Sequence, residues 1–208
     1  MLKYETPEER LAGVREDGLE LRFIPENEQT PEICLAAIHE NGRALLYVHE
    51  QTAEICLEAV RTGGYEALKL VHHKTPEICR AALNTPEKRL AAVREDGWNL
   101  MYILEDDQSP EICLAAVRQD GWALDYVLKQ TPEICMAAVR DNGCALKLVR
   151  EQTPEICLAA VRQDGWALQY VKDQTPEICR AALEQNPKAE KFVNIHLEVQ
   201  DEDDAPHP

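Results

Sequence analysis

Serine occurs once in this chain, at Ser109, and the position it occupies suits a helix cap. A serine nucleophile is thereby nearly excluded. There are 9 glycines, none in a phosphate-cradling loop, since Gly63-Gly64 is an isolated turn. No CxxC pair is present to open a metal site, and the adjacent His72 and His73 point in different directions on a helix, unlike an i, i+4 pair. No run approaches the roughly 18 apolar residues of a membrane span, and MLKYETPEER has no apolar signal region. Basic residues are also short: 22 Lys and Arg against 38 Asp and Glu, a net charge of −16. That balance argues against binding duplex nucleic acid, which needs cations to replace counterions, and against anionic membranes. The expectation is a cytoplasmic protein with no membrane contact, no cofactor and no metal.

What is present is repetition. Residues 153–174 read TPEICLAAVRQDGWALQYVKDQ, and this 22-residue unit starts at Thr30, Ser109, Thr131 and Thr153. Edited versions start at Thr6, Thr52, Thr75, Thr85 and Thr175. A fixed period in this range marks a repeat architecture. Counting Thr153 as position one, its hydroxyl can cap a helix and Pro154 suits the first helical position. Glu155 complements the dipole in the first turn, as Arg162 does in the last. Ile156, Cys157, Ala160 and Val161 form one apolar helix face. Gly165 offers a left-handed stop. A second short helix follows, capped by Asp164 and carrying Leu168 and Val171 one turn apart.

Each unit is therefore expected to be a hairpin of two helices, each about 8–10 residues long, too short to persist alone. Stacked hairpins that bury one another's faces make a solenoid. The fold class is all-α, an α-solenoid of tandem hairpins.

Seven of the eight cysteines (Cys34, Cys56, Cys79, Cys113, Cys135, Cys157 and Cys179) share position five. Equivalent positions on stacked helices lie about 8–10 Å apart, beyond the ~7 Å limit of a disulfide, so they are expected to be small core residues. Cys144 stands where other units have tryptophan. Position eight is always Ala or Gly, which lets a neighbouring helix approach.

The edits divide the chain. The units at Thr6 and Thr85 carry Glu9-Arg10 and Lys88-Arg89 in place of Ile-Cys, and both are 24 residues long. Charge there fits the polar outer face of a terminal repeat. The unit at Thr75 stops after one helix. Two arrays are thus expected, residues 6–84 and 85–184, with a kink between them; one continuous solenoid that lost a helix near Asn84 is the alternative. Residues 185–199 form a capping element, a helix or a strand, and the acidic tail 200–208 is expected to be disordered.

The core LAAVRQDGWALQY resembles an uncharacterised helical repeat family with units like L-A-A-V-x-Q-N-G-x-A-L-x-Y, found in bacteria and some large viruses. The likeness extends over nearly all of 6–184. It implies a helical repeat fold and no known activity, so no catalytic residue can be carried over. The hairpin plan is also similar, in architecture alone, to tetratricopeptide and HEAT arrays.

One ladder could carry function. Position ten supplies Arg94, Arg118, Arg140 and Arg162, and position fourteen supplies Trp98, Trp122 and Trp166, with Tyr65 nearby in an irregular turn. Trp, Tyr and Arg dominate interface hot spots. The plain alternative is that Arg answers the helix dipole and Trp covers the next hairpin. The first functional reading is a non-enzymatic scaffold that binds a protein or peptide along one face. A second is an acidic mimic of nucleic acid that blocks a DNA- or RNA-binding protein. A third is an enzyme with a cavity joining His72 to carboxylates.

Overall fold

The structure is a computed structural model, and it describes residues 3–195. The expected tail 200–208, and residues 196–199 of the expected cap, lie outside the described residues. Among the described residues all regular structure is helical, with nine α-helices. These are α1 (Pro7–Glu16), α2 (Pro31–Glu40), α3 (Ala53–Leu70), α4 (Pro76–Ala82), α5 (Pro86–Glu95), α6 (Pro110–Gln119), α7 (Pro132–Asp141), α8 (Pro154–Gln163) and α9 (Pro176–Gln185). Contacts group the chain into two units, Met1–Ala92 with Tyr102–Asp107 and Val93–Met101 with Gln108–Pro208.

The α-helices begin as their sequence dictates. Thr153 is extended, and its hydroxyl accepts the N–H of Ile156 at 3.4 Å, with Pro154 at the first helical position. The same cap recurs at Thr30, Thr52, Thr75, Ser109, Thr131 and Thr175. Glu9 adds a reciprocal bond to the Thr6 backbone, completing a capping box at α1.

The second half of most hairpins differs from expectation. It is a six-residue 3-10 helix such as Gly165–Tyr170, not a second α-helix of 8–10 residues; in the unit at Thr52 it stays α-helical, α3 resuming past a break at Gly64 to end at Leu70. Asp164 caps it by accepting the Trp166 N–H at 2.9 Å. Three-residue periodicity places Gly165, Leu168 and Val171 on one buried stripe. The stretch is too short for an α-helix to gain from its extra turn.

Gly165 also plays another part than the left-handed stop expected of it. Gly64 is the one glycine with positive φ among the described residues, at 58°. The helix ends instead because Asp164 turns extended, at φ −147° and ψ 112°. Gly165 is small because the next hairpin presses on it: a Cβ there would lie 2.6 Å from the Ala182 carbonyl oxygen. Gly97 and Gly121 meet Ala116 and Ala138 in the same way, each at 2.5 Å. The glycine of one hairpin thus seats on the position-eight alanine of the next. Position eleven ties the same joint, since the Asp141 carboxylate and the Gln163 and Gln185 amide oxygens accept the N–H groups of Gly121, Gly143 and Gly165 at 2.7, 2.6 and 2.6 Å.

In the first unit α1 packs on α2, α2 on α3 and α3 on α4; in the second α6 packs on α7, α7 on α8 and α8 on α9. Each core consists of Ile, Cys, Ala and Val from the α-helices with Ala and Leu from the 3-10 segments, all buried. The seven position-five thiols are buried and all eight cysteines are free.

A glutamine at the end of each hairpin fastens the stack, a role that its sequence position alone did not reveal. Gln152 Nε2 donates to Leu146 O at 3.3 Å in its own hairpin and to Tyr170 O at 2.9 Å in the next. Its Oε1 accepts the Lys172 N–H at 3.0 Å and the Cys157 thiol at 3.6 Å. Gln29, Gln51, Gln108, Gln130 and Gln174 likewise donate to a carbonyl of the following hairpin.

Of the charged edits at the two 24-residue units, Glu9 and Lys88 are exposed, but the two arginines are covered. Arg10 is only 5% exposed. Its guanidinium meets Glu28 at 2.7 Å, inside the extra 3-10 segment Glu26–Glu28 that the longer unit adds. Arg89 pairs at 2.7 Å with Asp107 of the matching segment Glu105–Asp107. The inserted residues fold over the position a preceding hairpin would cover, and they bring the counterion with them. At the other end, Pro187–Phe192 continues the 3-10 pattern, capped by Asn186 with Ala189 buried.

Candidate functional site

The residue types expected to bind fall into separate places. Trp98 and Trp166 serve joints between hairpins. Trp98 donates Nε1–H to Asp120 Oδ2 at 2.7 Å and meets Tyr126 edge-on at 5.7 Å. Trp166 meets Phe192 edge-on at 5.7 Å, with Lys191 4.7 Å over its ring. Trp122 is half-buried, whereas Trp98 is 40% exposed. Tyr65 lies in the first unit under the Lys69 ammonium at 4.5 Å.

Cys144, in the tryptophan row, repeats the Trp98 contact with a thiol: its Sγ donates to Asp164 Oδ2 at 3.4 Å. Burial pushes this thiol up to about 11, and the Asp164 carboxylate adds to the rise by hydrogen bond and charge. Burial also raises the seven position-five thiols. None is set up as a nucleophile, which must reach the thiolate. Unfolded thiols ionise near pH ~8.5 while folded ones stay neutral higher. Stability is therefore expected to be complete below that value and to fall as pH rises toward 11, the figure for Cys144. At about pH 8, a disulfide reagent should modify the native protein far more slowly than free cysteine, and all eight thiols only after denaturation; fast labelling of a position-five thiol would contradict this.

Ser109 is engaged as the α6 cap, accepting the Ile112 N–H at 3.3 Å. His72 and His73 are exposed, and the His72 backbone N–H donates to Gln51 at 3.0 Å. Among the described residues no group of three His, Cys, Asp or Glu is placed to hold a metal ion. Nor is any helix long and apolar enough to cross a membrane.

The arginines of the second unit behave differently. Positions three, six, seven, ten and eleven form the outward face of each α-helix. In α6–α8 the middle of that face is a half-buried floor of Leu114-Ala115, Met136-Ala137 and Leu158-Ala159. Exposed Glu111, Glu133, Glu155 and Glu177 edge it at the helix starts, and exposed Arg118, Arg140 and Arg162 edge it near the helix ends, continuing the row from Arg94. At the α6–α7 joint Arg118 and Arg140 converge on an open groove of about 440 Å³, completed by Glu133, Met136, Ala137 and Asp141. No ion pair or hydrogen bond occupies the side chains of Arg94, Arg118, Arg140 or Arg162 among the described residues.

At α3 in the first unit the same face is quenched. Its floor carries Glu58 at position seven, which pairs with Arg61 at 3.5 Å and His39 at 3.3 Å. Helices α6–α8 have alanine there, and their position-ten guanidiniums make no ion pair among the described residues.

Residues 109–152 match the family model of a domain of unknown function, DUF4116. The matched stretch holds α6, α7 and the 3-10 segments that follow them, and so both arginines of the groove. The likeness to an uncharacterised family holds over these residues. No curated protein and no solved structure matches the chain.

Proposed function

We propose that this chain is a non-enzymatic helical-repeat protein that binds a protein or peptide along the outward face of α6–α9. The observation that carries this reading is the α6–α7 groove, where two arginines without partners stand beside an apolar floor. Guanidinium beside exposed apolar surface is the composition of interface hot spots. Stacking sets equivalent residues in rows, so one peptide can meet the same chemistry at each hairpin. The hairpin-end glutamines and the position-eleven side chains are occupied in holding hairpins together, and the thiols are suppressed by burial. Eight unbridged cysteines support a reducing compartment, the cytoplasm.

A peptide library selected against the protein tests the reading, with a photo-crosslinking side chain placed at Met136 or, as a control, at the exposed Gln169 on a 3-10 segment. Selected peptides should crosslink at position 136 and not at 169. Crosslinks confined to 169, or a selection that returns no binder, would overturn it.

A further inference from the structure

Resting on that peptide-binding reading, we infer that the occupant of the second unit's outward face is a polyproline-II peptide with an acidic, an apolar and a basic edge. The face offers three parallel rows: guanidiniums from Arg94 to Arg162, apolar side chains such as Met136 and Ala137, and carboxylates from Glu111 to Glu177. Each row takes the opposite or like chemistry. Acidic groups pair with the arginines, apolar ones lie on the floor, and basic ones meet the glutamates.

Spacing selects the backbone. Packed helices lie about 8–10 Å apart, so each row repeats at that interval. A polyproline-II chain turns once in three residues at ~3.1 Å each, and so repeats a residue type on one edge every ~9.3 Å. A β-strand returns to the same face every second residue, roughly 6.6 Å, and falls out of step within two hairpins. The glutamate and arginine rows are seven residues apart along each helix, roughly 10 Å, which admits one open chain. A peptide α-helix, about 10–12 Å across with its side chains, would fill that width and ride over both rails.

Arg118 and Arg140 make no ion pair in their groove among the described residues, whereas Arg61, at the matching position of α3 in the first unit, already faces Glu58 at 3.5 Å. The chain's net charge of −16 opposes a simple polyanion. A peptide with both signs on separate edges escapes that repulsion.

The experiment measures binding of a peptide of repeated Glu-Pro-Lys triplets, and of a block peptide of the same composition with its Glu, Pro and Lys residues segregated. Both are titrated against the full chain, Arg118→Gln/Arg140→Gln and Ala137→Glu. The last copies the arrangement of Glu58 before Arg61, so the fold accommodates it, and circular dichroism verifies all variants. The triplet peptide should bind the unaltered chain about 10-fold more tightly than the block peptide, and each variant should lose about that preference, as several exposed ion pairs together allow. Added salt should weaken the binding. Equal affinity for the two peptides, indifference to Arg118→Gln/Arg140→Gln, or equal displacement by single-stranded DNA would overturn the inference. If the triplet peptide fails while selected peptides still crosslink at position 136, the docking face stands and the three-edged occupant falls. If nothing crosslinks there, both fall.

Discussion

Gly121→Ala is expected to destabilise the second unit by about 3 kcal/mol, near the top of the usual range for overpacking. A Cβ at Gly121 would sit 2.5 Å from the Ala138 carbonyl oxygen and 3.2 Å from Asn142 Cβ. The offending atom is backbone inside α7, so relief requires the whole helix to move. Such a shift also breaks the 2.7 Å bond from the Gly121 N–H to Asp141. Two effects favour alanine, helix propensity and a less flexible unfolded chain, but each is worth only about 1 kcal/mol. The clash decides the sign. A fall in melting temperature of roughly 6–12 °C follows for a chain of this size, readable by circular dichroism. Gly64→Ala is the comparison: nothing lies within 4 Å of a Cβ there, and only the φ of 58° opposes a side chain. Its cost is backbone strain alone, about 1–3 kcal/mol, because φ 58° with ψ −138° suits glycine, and no neighbour is displaced. If Gly121→Ala loses no stability, the close approach of successive hairpins is not what fixes glycine at position thirteen.

That contrast shows where sequence was sufficient. The α-helices were legible because cap, proline and apolar face recur at fixed offsets, and nine aligned copies leave little freedom in their limits. The role of Gly165 was not, because a left-handed stop and a close neighbour both demand glycine; only the position of the Ala182 carbonyl distinguishes them. The 3-10 geometry of Gly165–Tyr170 was hidden for a similar reason. Leu168 and Val171, three apart, suit either helix type. The burial of Arg10 has a counterpart in the sequence: the charged position five and the two extra residues occur in the same units, as expected if one supplies the counterion of the other. For the candidate site, the arginine row was visible in the repeat itself. Its separation from the tryptophans was not, since position fourteen turns to the next hairpin through contacts such as Trp98 to Asp120 at 2.7 Å.

The hairpin-end glutamine is the case in which an omission in the sequence has structural meaning. At Lys74 the residue is replaced, and the following unit at Thr75 ends after α4, with no second helical segment before α5. With no carbonyl ahead to receive an amide, Lys74 donates instead to Val71 O at 2.7 Å. Where the segment exists, the amide should matter. Gln152→Leu keeps the bulk and deletes four bonds, two given by Nε2 to Leu146 and Tyr170 and two accepted from Lys172 and Cys157. Leaving half-buried backbone groups unpaired is expected to cost about 2–3 kcal/mol. Gln152→Glu sharpens the test. A carboxylate can still accept from the Lys172 N–H but meets the Tyr170 carbonyl with no proton to give. Facing an acceptor raises the folded pKa of the introduced carboxyl above its unfolded ~4.3. Its contribution is then present below about pH 4.3 and is lost as pH rises through the folded value. The deficit of Gln152→Glu against the unaltered chain should therefore narrow in acid, while that of Gln152→Leu stays constant. Denaturant titrations of both at acid and neutral pH would read this directly. Parallel pH profiles for the two variants would show that donation to Tyr170 does not hold adjacent hairpins together.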